Sequence, residues 1–154
     1  MVASGEGSAA PRALIVVFWA QVAAFALLIL TVLIPDVLRG WFRPTFLSLM
    51  GFCFLLGVVL LILAVRWKRP GLLRTFWILV GGATTGFAVG SALHNLFYGL
   101  GTVTEQWPIV QMALGGLEVA FFLIAVIVCP LAFLVGTVGA IVALVRQGSA
   151  AAAP

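Results

Sequence analysis

From Pro108 to Val145 the chain runs 38 residues with one charged side chain, Glu118. An earlier run, Ala13–Ile34, has none, and Gln21 and Thr31 are its only polar members. A water-soluble fold of this size cannot hide such runs, because folding a chain of about 150 residues removes only about 70% of its surface from water. The rest of the sequence agrees: 64% of the 154 residues are apolar and 8% are charged, against about 45–50% and 25% in soluble domains. A soluble enzyme, a disordered chain and a secreted disulfide scaffold are excluded. The pattern predicts an all-α integral membrane protein whose solvent and first partner is the lipid bilayer.

Hydropathy divides the chain into a flexible tail (1–12), one membrane domain (13–146) and a disordered tail (147–154) rich in alanine. The predicted spans are 13–34, 45–65, 72–98 and 108–145. The first is too long for a signal peptide, whose apolar region covers roughly 7–15 residues. The last is long enough to raise the question of two crossings, at 109–128 and 131–145. No polar turn separates those halves, and turn residues are what end helices. A four-span bundle follows, its fourth helix long and kinked at Pro130. Trp107-Pro108 starts that helix well, since proline in the first turn forfeits no hydrogen bond.

The net charge is +4, from eight Lys/Arg and four Asp/Glu. Those basic residues lie between apolar runs rather than along one exposed face, which argues against a nucleic-acid partner. Four spans place Arg12, Arg66, Lys68, Arg69, Arg74 and Arg146 on one side, and Arg39 and Arg43 on the other. Cytoplasmic loops carry the basic excess, so both termini are expected in the cytoplasm. Trp67 and Trp77 are expected to mark the inner boundary, and Trp41, Tyr98 and Trp107 the outer one.

Two patterns stand out within the spans. Gly82, Gly86 and Gly90 are spaced by four, as are Ala132, Gly136 and Ala140, and small residues at that spacing let helix backbones approach. They predict packing within the bundle or a seam between copies. The second pattern is polar. His94 is the only histidine, and twenty residues of helix separate it from Arg74, about 30 Å. Glu118 is 28 residues from Arg146, so both ionisable groups approach the outer boundary. Asn95, Tyr98 and Gln111 can join them in a binding cluster. A carboxylate in an apolar setting needs a partner, so a His94–Glu118 contact is expected. Its uses are a clamp between spans three and four, a ligand site, or proton transfer.

No P-loop, dinucleotide fingerprint or HExxH motif is present. Cys53 and Cys129 lie inside apolar runs and make no CxxC pair, so they are expected to be small apolar fillers. One histidine and one glutamate fall short of a three-ligand zinc set. No catalytic residue, metal or cofactor is therefore assigned, and an enzymatic role has little support. The leading expectation is a structural or accessory protein acting by helix packing, with itself or with another membrane protein. The alternatives are small-solute transport through a vestibule at His94 and Glu118, and an enzyme acting on lipid or quinone.

Overall fold

The computed structural model describes residues 11–33, 36–68, 71–104 and 106–152; the side chains of residues 32–45 and 150–152 lie outside that description, as do those of the remaining residues. All the described elements are helices: α1 (Arg12–Leu33), α2 (Asp36–Arg66), α3 (Leu72–Val103), α4 (Pro108–Leu123) and α5 (Cys129–Ala152), with a π-helical turn, Ile124–Val128, joining the last two. Four are long and apolar enough to cross a bilayer, because α4, the π turn and α5 form one continuous stretch from Pro108 to Ser149. No turn separates 109–128 from 131–145 within that stretch. Its 42 residues span about 63 Å, twice the hydrocarbon thickness of about 30 Å.

The helices outrun the apolar segments. α2 begins at Asp36 rather than 45, and α3 continues to Val103 rather than stopping at 98. Hydropathy marks where lipid can be, whereas a helix continues until its hydrogen bonds run out. The tail predicted to be disordered from 147 is helical through Ala152, and alanine is the best helix former. Residues 1–10 of the predicted N-terminal tail lie outside the described residues.

Helix α3 is the centre of the bundle and touches α2, α4 and α5 along its length. α1 reaches it through aromatic side chains: Phe18 lies 6.5 Å from Trp77, and Phe25 lies 5.8 Å from Phe87 and 4.1 Å from Phe133 of α5. Those contacts run α1 parallel to α3. By contrast Gly57 of α2 meets Thr84 while Leu61 meets Gly81, and Gly136 of α5 meets Val80 while Gly139 meets Phe76, so α2 and α5 run antiparallel to it. The start of α1 and the end of α5 therefore share one end of the bundle with Arg66, Lys68 and Arg74.

Two glycine contacts set how closely the helices approach. A Cβ on Gly81 would lie 2.9 Å from the Gly57 carbonyl oxygen, and one on Gly57 would collide with the Thr84 hydroxyl. On α5, a Cβ on Gly139 would run into the Phe76 ring, and one on Gly136 would lie 2.8 Å from Val80. Of the predicted stripe, Gly86 faces Cys129, Gly90 faces Ala125, and Ala140 is fully buried. Gly82 departs from it, with nothing within 4 Å of where its Cβ would be. The seam passes through its neighbour Gly81, about 100° around the helix.

Two further expectations are corrected or refined. Trp77 does not mark a boundary: it is fully buried, packed on Trp67 at 5.3 Å, because the helix that carries it is the central one. Tyr98 and Trp107 are exposed, while Trp41 lies outside the described side chains. Both cysteines are buried and free. The helical irregularity expected at Pro130 takes the form of the π turn just before it, where the Cys129 amide donates to the Ile124 carbonyl. In an unbroken α-helix the prolyl ring would clash with the carbonyl four residues back. The wider turn also corrects phase. Each four-residue step on an α-helix drifts by roughly 40°, and the π turn takes some of that back, so that Phe121, Ala125 and Cys129 all meet α3 at Gly90 and Gly86.

Candidate functional site

Near its C-terminal end α3 presents two adjacent faces, and the predicted polar residues divide between them. His94, Tyr98 and Gly101 follow one another at helical spacing and turn toward α4. Ser91 and Asn95 occupy the next face, toward the gap between α2 and α4.

On the first face the His94 Nδ1 lies 3.2 Å from the Glu118 carbonyl oxygen and 3.9 Å from its carboxylate Oε1. The shorter contact is a hydrogen bond in which Nδ1–H donates to the backbone; the longer one exceeds hydrogen-bond range. In that tautomer Nε2 is an acceptor. The imidazole packs on Phe122 at a ring separation of 5.3 Å, and one turn away Phe97 stacks on Phe121 at 5.5 Å. His94 and Glu118 are each 28% exposed. Sequence spacing thus found the right pair of residues, but the main chain of Glu118 supplies the close acceptor.

Glu118 also borders a small cavity of about 220 Å³ with Tyr98, Gln111, Gly101, Thr102 and Gly115. Asn95 does not belong to it. Its Nδ2 donates to the Ser91 carbonyl at 2.7 Å, and it lines a larger cleft of about 380 Å³ together with His94 and Ser91. The walls of that cleft are apolar: Phe46 and Met50 of α2, Phe87 of α3, Phe122 of α4 and Val126 of the π turn. His94 therefore stands between two recesses, one with a carboxylate and a phenol, the other nearly all hydrocarbon. No single cavity adjoins both His94 and Glu118 among those described. Nor do the described residues include a group of three or more potential metal ligands.

Deeper in the bundle is a polar feature that residue spacing alone does not reveal. Gln21 is fully buried and neither atom of its amide has a partner; the hydroxyls of Thr85 and Thr137 and the Trp77 indole N–H are likewise unpaired. Thr84 bonds back to the Val80 and Gly81 carbonyls of its own helix. Gln21 lies on the same face of α1 as Phe18 and Phe25, which touch α3 and α5. The available signal was its isolation as a polar residue between buried aromatics.

Comparisons with protein-family models, with curated proteins and with solved structures find no match to this chain.

Proposed function

We propose that the protein is a multi-pass membrane component that acts by helix contact, a structural or accessory subunit with both termini in the cytoplasm. The observation that carries this reading is the use made of the histidine–glutamate pair. His94 Nδ1 is committed to the Glu118 main chain, which ties α4 to α3 and leaves the carboxylate 3.9 Å away. Proton transfer needs an acid or base aimed at a reacting group, and no nucleophile motif accompanies the pair. The partner is a second copy of the chain, meeting it along the outer stripe of α3, where Thr75, Val89 and Leu96 are exposed and Gly82 leaves room for close approach.

The test is cross-linking and particle mass in mild detergent. Gly82→Leu is expected to abolish self-association with the bundle intact, whereas Gly86→Leu destabilises the bundle itself by crowding Cys129. A particle that is monomeric before either change overturns the self-contact.

Solute transport is the second reading, supported by the unpaired buried polar atoms of Gln21, Thr85 and Thr137. It requires flux in proteoliposomes that Glu118→Gln abolishes. Flux of that kind would replace the accessory role.

A further inference from the structure

The end of the bundle opposite His94 holds a recess of about 590 Å³ between the start of α3 and the last turns of α5. Its polar lining comes from two helices: Arg74 of α3, and Arg146 and Gln147 of α5. Among the described residues no carboxylate lines it. Trp67, Leu72 and Phe76 supply apolar wall, and Leu72 is 71% exposed, so that wall continues onto the outer surface of the bundle.

Arg74 is held in place. Its Nε donates to the Ala64 carbonyl at 3.0 Å and its Nη2 to the Val65 carbonyl at 3.1 Å, which caps the end of α2 and fixes the plane of the guanidinium. Those acceptors are neutral, so the cation's charge is not cancelled. Arg146 adds a second cation from across the recess. Two cations facing one recess offer an anion two contacts, and a guanidinium fork matches phosphate oxygens. The first amides of α3 reinforce that field. Gly71, Leu72 and Leu73 border the recess, α3 has no side-chain cap, and the first amides of a helix have no partner within it.

We propose that this recess binds a phosphate group, with Arg74 and Arg146 as its two cationic contacts and Gln147 as a neutral donor. A charged rim running into an exposed apolar wall suits the headgroup of an anionic phospholipid, with its acyl chains along α3 and α5. The lipid form rests on the membrane placement proposed above, while the phosphate chemistry does not, and the experiment separates them.

Full-length protein is reconstituted in nanodiscs of phosphatidylcholine, with or without phosphatidylglycerol, and its thermal unfolding is followed. In parallel, protein in neutral detergent is titrated with inorganic phosphate. Phosphatidylglycerol is expected to raise the melting temperature. Arg146→Gln, on an exposed residue, is expected to weaken that binding about tenfold, the loss of one hydrogen bond to a charged group. Lys68→Gln removes the same charge from the same end, does not line the recess, and is expected to leave binding unchanged. Stabilisation by inorganic phosphate alone also supports the site and assigns it to a soluble phosphate. The proposal is overturned if neither phosphate source stabilises the protein, if Arg146→Gln binds as the parent does, or if Lys68→Gln loses as much as Arg146→Gln.

Discussion

The two halves of α3 hold their neighbours in different ways. Toward its start, α2 and α5 press against it through Gly57, Gly81, Gly136 and Gly139, close enough that an added methyl group has no room. Toward its end, α4 lies against α3 without burying one of its own residues completely, and is tied by the His94 bond and the Phe97–Phe121 stack. Lipid supplies little hydrophobic drive between helices, so association comes from packing and hydrogen bonds. The lower half relies mainly on close backbone packing, with Arg74 bonded to the end of α2, and the upper half on one hydrogen bond and one aromatic stack. Stability should therefore be concentrated in the α2–α3–α5 half, leaving α4 the more easily displaced segment.

The largest effect expected from that contrast is at glycine. Gly57→Leu drives a side chain into α3 and should cost about 3 kcal/mol, the upper range for overpacking. Gly115→Leu on α4, where nothing lies within 4 Å, should stay within about 0.5 kcal/mol. Equilibrium unfolding in mixed micelles compares the two, and similar costs would erase the distinction between the halves. A smaller effect of opposite sign is expected in the core. Gln21→Met keeps the shape of the side chain and removes an unpaired buried amide, so it should raise stability by about 1 kcal/mol. A loss instead would show that the amide holds a partner, and would favour the transport reading. The smallest effect is at the upper tie. His94→Ala should cost up to about 1 kcal/mol and speed amide exchange in α4 but not α5. Glu118→Gln should do much less, because the bonded acceptor is the main chain. Equal effects from both would make the 3.9 Å charge contact the stronger tie.

The four helices were legible because charges and prolines interrupt long apolar runs, and a bilayer imposes a minimum length on them. Their packing faces were only half legible. With almost every position apolar, periodicity cannot say which side of a helix points inward. Gly86, Gly90, Gly136 and Ala140 follow the small-residue spacing, yet Gly81 rather than Gly82 meets α2, and the sequence offers both side by side. Trp77 looked like a boundary marker because it follows Arg74 closely; only the central place of α3 explains its burial. The His94–Glu118 pairing was legible from helical arithmetic on two antiparallel neighbours. The division of Asn95 from Glu118 was not, since it depends on which face of α3 meets α4.

The π turn before Pro130 amounts to one surplus residue in an otherwise regular helix. Removing one of the exposed Val126, Ile127 or Val128 would return the turn to ordinary pitch while leaving both flanks in their present rotational register, provided Pro130 were also replaced by a residue with an amide hydrogen. Glu118 would still face His94, and Gly136 would still face Val80. The longest helix of this protein can thus shorten by one position without altering what it touches, a tolerance that none of its other membrane-length helices is built to share.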